Sequence, residues 1–194
     1  DGELDVQGTK VFESLYNLPT AIKARTALED SRTYSAIHSN LPQGGACGRS
    51  TIDSPDAWCA KKEDETRWVT IDLGVAASVA GIVTQPRAEA CGCDQRVTKY
   101  TVATSLDGET FTDVDGGSEV VGNTEGGNAK TTRLFAAPVT NTRYVRITIA
   151  AYNEHPSMRV DVVLASEVPD ALGDVSVAGK FILNGVDLTD KLLA

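Results

Sequence analysis

Between residues 67 and 164 the chain is written in short runs whose apolar residues alternate with polar ones, each run closed by glycine, aspartate, asparagine or proline. Alternation with period two puts every second side chain on one face, so such runs bury that face only as strands of a sheet. Arg67-Trp68-Val69-Thr70-Ile71-Asp72-Leu73 is one run and Val79 to Thr84 the next. Val97 to Thr104 follows, then Ser105-Leu106-Asp107-Gly108-Glu109-Thr110-Phe111, whose Asp-Gly pair signals a hairpin. Tyr144 to Ile149 and Met158 to Leu164 complete the set. Six to eight strands with long connections predict an all-β fold, a jelly-roll β-sandwich. The stretch from Gly116-Gly117 to Gly126-Gly127 lies between strands and reads as a turn region.

Charge divides the chain into three. Residues 1–30 and 166–194 together hold 11 acidic and 5 basic residues, while 31–165 hold 16 and 13, so the flanks carry −6 of the net −9. This predicts an N-terminal extension over 1–30, a central domain over 31–165 and a C-terminal extension over 166–194. The acidic balance disfavours nucleic acid and anionic lipid as partners, and no run of 18 apolar residues is present to span a bilayer. Met158 is the only methionine, which reads as a piece processed from a longer chain.

The two flanks share a pattern. Gly2 to Leu15 aligns without a gap on Gly179 to Leu192 as G-x-apolar-x-apolar-[Gln/Asn]-G-x-x-apolar-x-acidic-x-Leu. The first half alternates between glycines and the second spaces apolar residues by four, which predicts strand, turn, helix. After the first copy Val11, Leu15, Leu18 and Ile22 keep a 4-3-4 rhythm suited to a short coiled-coil seam, interrupted by Pro19. The pattern is similar to the shaft repeats of trimeric fibre proteins and points to a homotrimer.

The central words come in a recognisable order: Ala57-Trp58-Cys59-Ala60, Trp68 to Gly74, Val79 to Arg87, Val97-Thr98-Lys99-Tyr100, Ser105-Leu106-Asp107-Gly108, Gly122-Asn123-Thr124, Pro138-Val139-Thr140, Arg143 to Ile147 and Ser157-Met158-Arg159-Val160. Over about residues 31–165 the sequence resembles the discoidin domain family, also called coagulation factor V/VIII C-type. The resemblance implies an eight-stranded jelly roll with ligand-binding loops at one end. It implies a secreted or surface-displayed, non-catalytic module that binds sugars, phospholipid head groups or proteins. Trp58, Trp68, Asp72 and Met158 read as scaffold.

A sugar site needs a planar donor for neighbouring hydroxyls, a carboxylate or amide acceptor, and an aromatic face. By resemblance Arg87 supplies the guanidinium, Asp53 the acceptor of the first loop, and Tyr152 the stacking ring, with His155 at the rim. Arg96 stands where the family commonly has an aromatic, and a second arginine beside Arg87 would favour a uronic, sulfated or sialic acid over neutral galactose. The alternative is that Arg96 pairs with Asp94 or Glu89. Calcium is a side expectation, with Asp53 and Asp56 as oxygen ligands before Trp58. No organic cofactor is expected. Leu41 is the only large apolar residue of the first-loop stretch Leu41 to Gly48, so membrane insertion is not expected.

The four cysteines, Cys47, Cys59, Cys91 and Cys93, suit two disulfides and an oxidising compartment, while their spacing suits a four-thiolate zinc site poorly. None lies near residue 31 or 165, where many family members tie first strand to last. Because one residue separates Cys91 from Cys93, each is expected to reach back to Cys47 or Cys59. The chain has only two histidines, His38 and His155, and lacks a nucleophile elbow, a P-loop, a zincin motif and a dinucleotide fingerprint. The expected function is therefore a lectin-like recognition or adhesion module for a cell-surface glycan or glycoprotein. The alternative is a protein–protein adhesion or structural module of a larger, trimeric extracellular or fibre protein.

Overall fold

The computed structural model describes residues 23–25, 27–165, 182–183 and 186–187. Its strands are β1 (Lys23–Arg25), β2 (Arg32–Tyr34), β3 (Trp58–Cys59), β4 (Trp68–Gln85), β5 (Arg96–Ser105), β6 (Thr112–Asp113), β7 (Val120–Val121), β8 (Thr131–Asn153), β9 (Ser157–Leu164), β10 (Ile182–Leu183) and β11 (Val186–Asp187). All pairings are antiparallel. Nine strands form one hydrogen-bonded system with the order β1-β9-β4-β8-β5-β6, to which β2, β3 and β7 attach at the side.

Two long strands turn this single ladder into a sandwich. The runs Arg67–Leu73 and Val79–Thr84, read as separate strands in the sequence, are two halves of β4. Its pairing with β8 shifts register between Asp72 and Ala77, where Gly74 sits at φ +76°. A left-handed residue there costs glycine little and lets the strand bend between layers. The first half of β4 pairs with β2 and with the second half of β8, which in turn carries β5; the second half of β4 pairs with β9 and the first half of β8. The Thr131–Pro138 part of β8 escaped the sequence reading because it is largely exposed and carries no clean alternation.

Between the layers lies the core. Val69, Ile71, Tyr100, Val102, Val145 and Ile147 from one layer meet Val79, Ile82, Met158, Val160 and Val162 from the other, with Trp58 among them. Within each strand they fall on alternate positions, as the period-two reading requires, except Val79 and Ile82, which are three apart because the pairing shifts register between Val79 and Gly81. Trp58 and Met158 are thus scaffold. Trp68 and Asp72 lie on the opposite face of β4, where they pair with Arg146 and Arg143. The Asp107-Gly108 hairpin forms between β5 and β6: the Asp107 carboxylate accepts from Ser105 Oγ and from the backbone N–H of Glu109 and Thr110.

β1 lies within the stretch assigned to the N-terminal extension, and it pairs along β9, Lys23 opposite Leu164. Chain entry and exit therefore lie side by side. The helical seam expected over Val11–Ile22 lies outside the described residues. In the C-terminal copy of the repeat, β10 pairs with β11, so the chain continues at Val186–Asp187 as strand where a helix was expected. The intervening Asn-Gly is a favoured hairpin dipeptide, which explains the difference.

Candidate functional site

At one end of the sandwich four connections come together: the loop from Leu41 to Ala57, the loop after β4, the segment from Gly122 to Lys130, and the turn between β8 and β9. Two buried side chains in the strands beneath hold them. Arg159 of β9, 2% exposed, donates to Pro86 O (2.7 Å), Ser54 O (3.0 Å), Gly127 O (3.2 Å) and Asn128 Oδ1 (3.0 Å). Gln85, at the end of β4 and 1% exposed, accepts from Asp53 N–H (2.9 Å) and donates to Asn128 O (2.7 Å). A planar guanidinium with five donors suits three loops whose carbonyls point inward. Burial holds Arg159 below the usual arginine range.

Arg87 leaves β4 two residues after Gln85. Its Nε lies 2.9 Å from Asp56 Oδ1, and its Nη1 donates to Gln95 Oε1 at 3.1 Å. Gln95 Oε1 also accepts from Ser157 Oγ at 3.2 Å, and Ser157 Oγ lies 3.0 Å from His155 Nδ1. A serine hydroxyl has one proton; having given it to Gln95, Ser157 accepts from His155 Nδ1–H. That assignment leaves His155 Nε2 as a bare acceptor. His38 meets the His155 ring edge to face, centroids 5.2 Å apart. Burial first, then His38, Lys62 and Arg87, push the His155 imidazole down to about 4, so it is neutral at ordinary pH. A guanidinium donor and a neutral imidazole acceptor thus stand on one hydrogen-bonded chain at the loop end, a pairing suited to vicinal hydroxyls.

The other expected site residues lie elsewhere on the rim. Asp53, at φ +62°, accepts from Gln85 Nε2 (3.1 Å) and pairs with Lys130, and those contacts hold its carboxyl below the usual range. It also lines a cleft of about 480 Å³ between residues 27–30 and 49–55. Arg96 does not stand beside Arg87 as a second free cation, because its guanidinium pairs with Asp94. Asp94 is held in turn by Asn153 Nδ2, at 2.8 Å to its backbone O. Tyr152 is 37% exposed, and the Arg67 guanidinium lies 5.6 Å from its ring centroid, so one face is taken. Among the described residues Arg87 makes its polar contacts with Asp56 and Gln95, and it is Arg67 that lies against the Tyr152 ring.

The F5/8 type C domain model matches residues 32–162. The chain belongs to the F5/8 type C, or discoidin, domain family. Retinoschisin of Takifugu rubripes is 30% identical over 112 residues, covering 56% of this chain and 39% of that protein. Discoidin-1 of Dictyostelium discoideum is 27% identical over 141 residues, covering 71% and 54%. The chain thus spans about half, or less, of these relatives. Two solved structures share the fold. An F5/8 type C domain of Bacteroides fragilis has TM-score 0.59 at 11% identity, covering 73% of this chain and 96% of that one. A Clostridium perfringens module in complex with GalNAc-β-1,3-galactose has TM-score 0.51 at 19% identity, covering 69% and 94%.

In this F5/8 type C domain the disulfides are Cys47–Cys59 and Cys91–Cys93, which corrects the expectation that the second pair reaches back to the first. Cys59 N–H donates to Cys47 O at 2.9 Å, so local backbone pairing already sets those two Cα atoms 4.8 Å apart. Gly92 at φ +62° folds the loop on itself and brings the Cα atoms of Cys91 and Cys93 to 5.3 Å, within bridging range. The pairings staple each loop separately.

Asp53 and Asp56 do not fit a calcium ion. Asp56 Oδ1 faces Arg87 and accepts from Ala57 N–H, and its Oδ2 accepts from Cys47 N–H. Asp53 is taken by Gln85 and Lys130. Both carboxylates are thus engaged by protein donors instead of converging on one point as oxygen ligands of Ca²⁺ do. Among the described residues the one group of potential metal donors within reach of one another is Cys47, Asp56 and Cys59, whose sulfurs are bonded to each other. The sequence reading missed Gln95, Ser157 and His38 as members of the Arg87 cluster. His38 stands alone in sequence, with no spacing that couples it to His155.

Proposed function

We propose that this domain is a non-catalytic carbohydrate-binding module for cell-surface recognition or adhesion, with the sugar site at the loop end around Arg87 and His155. The observation that carries the reading is the chain Arg87–Gln95–Ser157–His155, which presents an oriented guanidinium and a bare imidazole nitrogen on one rim. The Clostridium perfringens relative of this fold, solved with a disaccharide, supports it. Because Asp56 offsets the charge of Arg87 and Asp94 that of Arg96, the rim suits a neutral sugar better than the acidic one expected from two free arginines. The two disulfides fit a secreted or surface-displayed protein. If the flanking repeats assemble three chains, weak single sites gain roughly 10²–10⁴-fold by avidity.

The test is a glycan array probed with the intact chain, with and without a calcium chelator, and with Arg87→Ala. Binding to a neutral sugar class that is lost in Arg87→Ala and indifferent to chelation is the expected result. A blank array with folded protein, or unchanged binding by Arg87→Ala, overturns the reading and favours a protein partner for the rim.

A further inference from the structure

The outer face of the sheet formed by β2, β4, β8 and β5 carries an arrangement that the loop end does not use. Pairing sets Thr33 opposite Thr70, Thr70 opposite Arg146, and Arg146 opposite Ala103, one row across four strands. The adjacent rows bring Trp68, Thr148 and Thr101 on one side and Asp72, Tyr144 and Ser105 on the other. In the middle, the Arg146 guanidinium is clamped between two rings, 4.4 Å from the Trp68 centroid and 3.8 Å from that of Phe111. Its Nε donates to Thr70 Oγ1 at 3.0 Å.

No carboxylate answers Arg146 among the described residues, and its two Nη groups make no hydrogen bond there. Neither nitrogen is among the fully enclosed, unsatisfied atoms of the described residues, and Arg146 as a whole is half-buried. The next arginine on the strand behaves differently: Arg143 grips Asp72 with two bonds, 2.9 and 3.0 Å. That pair is neutral, so Asp72 does not supply Arg146 with its counter-charge. Burial without a partner lowers the Arg146 guanidinium from the usual arginine range. Beside this row is a hollow of about 160 Å³ lined by Asp30, Ser31, Thr33, Thr70, Asp72 and Tyr144.

We propose that this face is a second ligand site, separate from the loop end, in which Arg146 receives the carboxylate or sulfate of an acidic sugar. Two parallel N–H donors on a guanidinium that stacking has already fixed match two oxygens of a carboxylate or a sulfate and lose little freedom on binding. The hydroxyls of Thr33, Thr70, Thr101 and Thr148 are then neighbours for the hydroxyls of the same sugar. Asp30 lines the hollow and the chain is acidic overall, so the site takes one anionic group and repels a dense polyanion.

The experiment is a titration of the ¹⁵N-labelled full chain, followed by NMR, with a galacturonate oligosaccharide, a singly sulfated galactose oligosaccharide, its unsulfated counterpart and a penta-glutamate peptide. The expected result is movement of the Arg146 Nε–Hε resonance and of the amides of residues 68–72 and 144–148 with one or both acidic sugars. Which of the two is the stronger names the group recognised. The response should persist in Arg87→Ala, which separates this site from the proposed loop-end site, and weaken about ten- to a hundredfold in Arg146→Gln. Arg146→Lys keeps the charge and loses the fork; folded and weakened, it supports the proposal even where Arg146→Gln fails to fold. No response on this face, an equal response to the neutral sugar or the peptide, or full binding by a folded Arg146 variant overturns it.

Discussion

Arg32 and Asp161 should show opposite sensitivities although they form one ion pair. Both side chains are fully enclosed, with Arg32 Nη2 3.1 Å from Asp161 Oδ2. Arg32 also donates through Nη1 to Val160 O (2.6 Å), Ser50 Oγ (3.0 Å) and Ser50 O (3.3 Å), and through Nη2 to Ala27 O (3.1 Å). Arg32→Met strands a buried carboxylate and several carbonyls, a loss of about 3–5 kcal/mol for breaking a buried pair from one side. Asp161→Asn leaves Arg32 its other acceptors and can keep the bonds that Oδ1 takes from Ala27 N–H and Val162 N–H. Burial outweighs Arg32 and pushes the Asp161 carboxyl up to about 6 from 3.8. Its native form therefore holds the proton more tightly than the unfolded chain does. The stability this contributes is complete below about pH 4 and is lost as pH rises through about 6. A gap of about two pH units is worth about 3 kcal/mol at 1.36 kcal/mol per unit. Urea unfolding at pH 4, 5, 6 and 7 should show Arg32→Met destabilised throughout by its stranded carbonyls and most of all at pH 7, where the carboxylate it strands is ionised. Asp161→Asn should be near or above the parent at pH 7 and fall behind it by up to about 3 kcal/mol toward pH 4. Arg32→Met costing under about 1 kcal/mol, or a difference between Asp161→Asn and parent that does not change with pH, would refute the reasoning.

Two further outcomes follow from the rim. Replacing Cys47 and Cys59 by serine frees a loop with a sequence separation of 12 and should cost about 3 kcal/mol, whereas the same change at Cys91 and Cys93, separated by 2, should cost about 1.5 kcal/mol; thermal unfolding of the two double variants ranks them. Sugar binding at the rim should be flat between pH 8 and 6 and fall as His155 protonates toward pH 4, because Nε2 then becomes a donor. Over the same range the unfolded chain takes up a proton near 6.5 that native His155 refuses, so His155 also removes stability as pH falls. Titration calorimetry across that range checks the binding half, and binding that holds full strength to pH 3.5 would remove His155 from the site.

Strand positions, the sandwich and the family were legible in the one-dimensional text, because alternation and turn residues act through near neighbours. Val69-Thr70-Ile71 and Val145-Arg146-Ile147 state which face is buried without reference to anything distant. Trp58 and Met158 were readable as scaffold through the family resemblance, and both are fully buried. The bend that makes Arg67–Leu73 and Val79–Thr84 one strand was not, since it depends on β8 following β4 through the shift near Gly74.

Partner choice among charged side chains was decided only in three dimensions. The resemblance placed Arg87, Arg96, Asp53, Tyr152 and His155 on loops at one end, whereas Arg96 opens β5 and Tyr152 lies in β8; the sequence could not say that Asp56 answers Arg87, and it offered Asp94 only as one of two partners for Arg96. Nor could it show that Arg146, one member of an alternating run, would lie against two rings with no counter-ion among the described residues. Burial follows from the chemistry of each residue in turn and so is written along the chain. A hydrogen bond or ion pair depends on ångström-scale distances between residues far apart in sequence, and those distances exist only once the two layers have packed and the loops have been tied down by Arg159 and Gln85.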